Sequence, residues 1–190
     1  MIEYELDDNL AFFVGLSLQL KTSFDQLKYV QDKMNDPSYE TDYELFFNYY
    51  FVDGYNELVL NLSLIFENDN RSKYHFFNYL NNYTKEIDVT KVHEGYMSNE
   101  SYADVKRILL NDKKELNSYR KLITDYRSRN IAHIDKNSFD KIIELSELKK
   151  PLDKFFETVH NLAYYKYHHT RFYTFSYMSE LEEIMEKLRK

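Results

Sequence analysis

DDNLAFFVGLSLQLKTSFDQLKYVQDKMNDP, residues 7–37, is the stretch that decides the fold class. Its apolar side chains Phe13, Leu16, Leu20, Phe24, Leu27, Val30 and Met34 recur at spacings of three and four, which gathers them on one face of a helix. Asp7 or Asp8 can cap the free N–H groups of the first turn. Pro37 has no N–H to continue the ladder and closes it. The pattern predicts a long amphipathic helix that starts near Asp7 or Asp8.

The same reading extends along the chain. A second helix is expected from about Asp42 to Phe66, with Phe47, Phe51, Leu58, Leu62 and Ile65 as its main stripe. Its neighbouring faces are also apolar, so it is expected to be the most buried helix. A polar loop, Glu67 to Lys73, leads to a short helix around Tyr74 to Lys85. Glu86 to Asn99 has no clear period and reads as a connection. A fourth, long helix begins near Ser101, with Val105, Leu109, Leu116, Tyr119, Ile123 and Tyr126 as its stripe. Asp135 to Ser138 interrupts it, and another helical segment spans Phe139 to Leu148. Pro151 suits the first turn of a helix carrying Leu152, Phe155, Val159 and Leu162. Ser179 to Lys190 reads as a charged amphipathic tail helix.

Three glycines and two prolines in 190 residues leave a turn-dense β fold without its punctuation. The expectation is one all-α domain over residues 1–190: a four- to five-helix bundle with an extra C-terminal helix. Cysteine is absent, so no disulfide framework or cysteine zinc site exists, and the usage fits a reducing cytoplasm. The acidic start MIEYELDDN is followed by eleven mostly apolar residues, Leu10 to Leu20. That is too short for a membrane span and lacks the basic lead-in of a signal peptide. A cytoplasmic protein without membrane partners is expected.

A formal charge of −7 argues against wholesale coating of nucleic acid. The charge is uneven: Asp104 to Arg129 holds eight basic residues against four acidic ones, a local balance of +4 that leaves −11 on the remainder. Such a run fits a solvated helix face or a track for a polyanion.

The polar knot Y126-R-S-R-N-I-A-H-I-D135 lies at the end of that basic run. On an ideal helix His133 falls about 20° from Tyr126, and Asn130 about 40° from it on the other side. The seam that carries Tyr119, Ile123 and Tyr126 therefore delivers Asn130 and His133 next. Arg129 shares nearly the same face, whereas Arg127 lies roughly 120° from His133. Arg127 and His133 can meet only if the helix bends or ends nearby, or if a second subunit completes the site. Two readings stay open here. One is a histidine tied into core hydrogen bonds, with the arginines pairing Asp125 or Asp135. The other is a site that handles phosphate: histidine moves protons near neutral pH, and arginine offers a permanently charged fork to phosphate oxygens.

R127-S-R-N-I-A-H133 resembles the HEPN motif, an arginine followed after four to six residues by a histidine, often ending in Ala-His. Ile134-Asp135 adds to the likeness, since Ala-His-hydrophobic-Asp is common in the abortive-infection, AbiU-like, branch. Tyr55 to Leu80 is similar to that branch's second helix and the turn after it, with Glu67 standing where Asp is usual. The likeness covers Asp8 to about Leu162 and leaves 163–190 as a C-terminal extension.

The resemblance implies a helical homodimer whose two motifs line one cleft and cleave RNA without metal or cofactor. Phage defence or a toxin–antitoxin setting, with an antitoxin or operon partner, belongs to the same implication. His133 maps to the motif histidine and Arg127 to the motif arginine, the catalytic pair. Ser128, Arg129 and Asn130 fall in the middle of the motif as substrate-binding candidates. Ser128 stands where Asn, Asp or His is usual, and Asp135 replaces the Tyr of toxins paired with nucleotidyltransferases. Many relatives are binders rather than enzymes, so the alternative is a non-catalytic nucleotide- or protein-binding module.

Other constellations carry less. Tyr164 to Phe175 interleaves aromatics with Lys166, His168, His169 and Arg171, which suits single-stranded RNA and equally a packed helix end. Glu157 and His160 have the spacing of a di-iron bundle, but no second copy exists. His75 and His93 stand alone, and no phosphate loop or nucleophile elbow occurs.

Overall fold

The computed structural model describes residues 6–66, 75–90, 92–94, 99–128, 144–167 and 178–190. These form α1 (Asp8–Met34), α2 (Glu44–Phe66), α3 (Phe76–Glu86), β1 (Val92–Glu94), β2 (Asn99–Ser101), α4 (Tyr102–Tyr126), α5 (Leu145–Tyr167) and α6 (Met178–Lys187). The all-α expectation holds apart from one short hairpin. In place of a featureless connection, β1 pairs antiparallel with β2, Val92 opposite Ser101 and Glu94 opposite Asn99.

α1 begins where its aspartates predict. Asp7 is the N-cap, its Oδ1 accepting the Leu10 N–H at 2.9 Å, and one face is buried from Leu10 through Phe13, Leu20 and Leu27 to Val30. α4 starts with a serine N-cap: the Ser101 hydroxyl accepts the Asp104 N–H at 3.1 Å and donates to the Asp104 carboxylate at 2.6 Å, satisfying one donor that the first turn leaves open. α1, α2, α4 and α5 supply the walls of the core. Phe76 of α3 plugs it, edge-on to Phe13 at 5.1 Å and to Phe155 at 4.9 Å between ring centres.

Two expectations need correction. α5 runs without interruption from Leu145, so Pro151 sits inside the helix, not in its first turn. One intrahelical bond is forfeited, but Leu145 and Leu148 are buried in the core on the near side of the proline. The Glu147 carboxylate accepts the Glu144 N–H at 3.1 Å, which helps to hold the start. The interruption at 135–138 and residues 139–143 lie outside the described residues.

The second correction concerns α2, which is not the most buried helix. Phe47, Leu58, Leu62 and Ile65 are buried as expected, while Leu45, Phe46, Tyr49, Val52, Leu60 and Leu64 are exposed. α5 buries more of its length. Two apolar faces were available on α2, and α1 and α4 cover only one.

Gly54 sets the approach of α2 to α1. A Cβ there would stand 2.9 Å from Leu27 Cδ2, so the only glycine inside α2 lies where that helix packs on Leu27 of α1. α6 docks outside this corner. Buried Met185 joins Val30 and Phe47 in a small second cluster, and Tyr39 donates to the Met185 carbonyl at 2.9 Å. Lys33 pairs with Glu186 at 3.1 Å.

Candidate functional site

The C-terminal end of α4 presents the start of the Arg-to-His motif. Ile123 and Tyr126 are buried, and the Tyr126 ring meets Tyr55 of α2 edge-on at 5.8 Å. Burial, then a hydrogen bond with Tyr126 and the nearby charge of Glu147, push the Tyr55 hydroxyl far above its ordinary pKa. Tyr55 and Tyr126 thus form a buried corner where the end of α4 packs on α2.

Arg127 follows at once. Its backbone is still helical, and its N–H is shared between the Ile123 and Thr124 carbonyls, a bifurcation common at helix termini. The geometry widens to π-helical over 127–128. The ideal 100° wheel that separated Arg127 from His133 thus stops applying directly after Tyr126, and π-type turns are frequent at functional sites. The Arg127 side chain is half-buried and Ser128 is exposed. Arg129, Asn130 and His133 lie outside the described residues; of the five candidates, Arg127 and Ser128 are described and lie at this corner.

The aromatic-basic stretch divides at residue 167. Tyr165 is buried. Lys166 and Tyr167 are engaged within the bundle: Asp7 Oδ2 accepts from Lys166 Nζ at 2.9 Å, from the Tyr167 hydroxyl at 2.9 Å and from the Tyr79 hydroxyl at 2.6 Å. The Lys166 ammonium also lies 4.9 Å from the centre of the Tyr79 ring and 5.4 Å from that of Tyr167. Residues 168–175 lie outside the described ones. Burial alone would raise the Asp7 carboxyl, but the bonds from Tyr79, the Leu10 N–H, Lys166 and Tyr167 outweigh it and hold the group well below the usual range. For 164–167 the packed helix end is therefore what is observed.

Among the remaining candidates, Glu157 pairs with Lys154 at 3.2 Å and His160 is half-buried. His75 is the N-cap residue of α3, and its buried Nε2 has no hydrogen-bond partner among the described residues. No group of three or more possible metal ligands occurs among the described residues, and no described helix is long and apolar enough to cross a membrane.

Sequence reading missed a buried polar network between α4 and α5. Asp112 is 4% exposed; it pairs with Lys154 at 2.6 Å and accepts from Asn161 Nδ2 at 3.0 Å. Burial pushes the Lys154 ammonium down, yet the bond and charge of Asp112, with Glu157 and Glu115, raise it above the ordinary lysine value. The signal was present: Asp112 falls on the seam between Leu109 and Leu116. An acid in a core position needs a cation.

The described residues define an all-helical bundle with a short hairpin and a docked C-terminal helix. Comparison of the chain with family models, curated proteins and solved structures finds no match.

Proposed function

We propose that the chain is a HEPN-like, metal-independent endoribonuclease that works as a homodimer. The observation that carries the reading is the position of R127-S-R-N-I-A-H133: the motif begins on the residue after the buried Tyr126–Tyr55 contact, where α4 leaves ideal geometry. Arg127 there is half-buried and Ser128 exposed. His133 moves the proton at the ribose 2′-hydroxyl or at the leaving 5′-oxygen. Arg127 stabilises charge on the crowded phosphorane, and Ser128, Arg129 and Asn130 hold substrate. General acid–base transfer of this kind supplies about 10²- to 10⁴-fold in rate. An oriented cation adds a comparable electrostatic effect. RNA cleavage in phage defence or against an antitoxin partner is the setting that the resemblance implies.

A second reading, a non-catalytic nucleotide- or protein-binding module on the same scaffold, draws on the acidic balance outside the basic segment, −11 against +4. The two separate in one experiment. The purified protein is incubated with a pool of single-stranded RNA in excess EDTA, beside His133→Ala and Arg127→Ala. Cuts ending in 2′,3′-cyclic phosphate, lost in both variants while they stay folded, support the ribonuclease. No cleavage by wild type, or equal cleavage by the variants, favours the binding module.

A further inference from the structure

The exposed side of α2 is more ordered than a scatter of surface residues. Phe46, Tyr49, Asp53, Glu57, Leu60 and Leu64 fall within a sector roughly 80° wide on the helix. All six are exposed, Phe46 and Tyr49 by 57% and 63%. From Phe46 to Leu64 the stripe is roughly 27 Å long at 1.5 Å per residue. It is apolar at both ends and doubly acidic in the middle. Beside it runs a groove of about 420 Å³ between α1 and α2, floored by Gly54 and Leu27 and edged by Phe46, Tyr49, Asp53 and Glu57. Gly54 keeps that floor low, because a Cβ there would press on the Leu27 methyl at 2.9 Å.

Asp53 and Glu57 are four residues apart, so their like charges face each other on the helix, an arrangement that weakens it. Neither has an ion-pair or hydrogen-bond partner among the described residues. The charge of Glu57 also reaches the half-buried Tyr50 hydroxyl in the groove, which burial first and Glu57 second push upward. The apolar ends, Phe46 with Tyr49 and Leu60 with Leu64, face water, which is itself unfavourable.

We propose that this face is a docking site for an amphipathic helix of a partner protein that carries Lys or Arg at its centre and apolar residues at both ends. The end positions rest on Phe46–Tyr49 and on Leu60–Leu64, and the central cation meets Asp53 and Glu57 at the mouth of the groove, where the Tyr49 and Tyr50 rings add cation–π attraction. A second copy of this chain is the wrong occupant. An isologous pairing of the two stripes sets each acidic centre against the other, and like charges face to face are repelled. The site is separate from the corner at Arg127 and stands whether or not the chain cleaves RNA.

The test is selection from a phage-displayed library of helical peptides about 18 residues long, the length of the stripe, on the immobilised full chain. Selected peptides should carry Lys or Arg at the centre and apolar residues at both ends. They should bind the double variant Asp53→Lys, Glu57→Lys at least about tenfold more weakly. Both positions are exposed, and circular dichroism checks that the variant is folded. Absence of enrichment, a preference for neutral or acidic peptides, or equal binding to the variant would overturn the proposal. So would sedimentation showing a wild-type dimer that Phe46→Lys dissolves, because the occupant would then be a second copy.

Discussion

Asp7 and Lys166 are 159 positions apart in the chain and 2.9 Å apart in space. One carboxylate caps α1 through the Leu10 N–H and at the same time gathers α3 through Tyr79 and the end of α5 through Lys166 and Tyr167. The contact fixes the antiparallel pairing of α1 with α5 at one end, while Lys21 approaches Asp153 at 3.9 Å further along. It also explains why Lys166 of the aromatic-basic segment is engaged within the bundle.

The depressed Asp7 carboxyl makes a pH prediction. Its folded-state pKa lies below the ordinary value of about 3.8, so its contribution is fully present above that value and is lost as pH falls through the folded pKa. Asp7→Asn keeps a side-chain oxygen for the cap but removes the charge that serves three donors. At pH 7 it should cost about 2 kcal/mol, a fall in Tm of roughly 4–8 °C. The gap between wild type and variant should narrow below about pH 3.8. A gap that is constant across the acid range would show that charge is not what Asp7 contributes.

The Asp112–Lys154 pair predicts an asymmetry. Asp112→Ala leaves the Lys154 ammonium, 12% exposed, without its main partner. Glu115 and Glu157, both at 3.2 Å, soften the loss, so about 3 kcal/mol is expected in urea unfolding, the low end for a broken buried pair. The double substitution Asp112→Leu, Lys154→Met removes both charges and should recover most of that stability. A double variant as unstable as Asp112→Ala would mean that the site tolerates no apolar replacement.

α6 provides a local test. Met185 is fully buried against Val30 and Phe47. Met185→Ala should cost about 2–3 kcal/mol by truncation and cavity. The loss should appear first as faster amide exchange in α6 and the first turns of α2, since regions with few buried contacts open separately from the core. Exchange that speeds up uniformly through α4 and α5 would instead tie α6 to the global unfolding unit.

The reach of the sequence varied by element. The Phe13-to-Val30 stripe carried α1, and the stripe from Val105 carried α4 as far as Tyr126, because burial on one face imposes a period that can be counted. α2 misled: an extra apolar stripe does not say whether the protein itself covers it. Pro151 misled because a proline rule describes backbone bonds, while burial of Leu145 and Leu148 decided the helix start. The pairing of Asp7 with Lys166 had no local sign at all, since long-range partners are chosen by the assembled bundle. At the candidate site, the ideal wheel gave a sound direction as far as Tyr126 and stops being a guide where the helix widens at 127–128.

The chemistry assigned to Arg127 makes a sharper demand than the alanine scan. A guanidinium offers two parallel donors to a phosphate, whereas an ammonium is a point charge on a flexible stem. Arg127→Lys should therefore keep the fold and the positive charge yet lose about 10²-fold or more in cleavage rate, in the range seen when one oriented electrostatic donor is removed. RNA binding at low salt should fall far less, because a lysine still neutralises a phosphate. Single-turnover cleavage beside filter binding separates the two effects. If the rate and the affinity decline together, Arg127 contributes binding alone, and the burden of stabilising the phosphorane moves to Arg129.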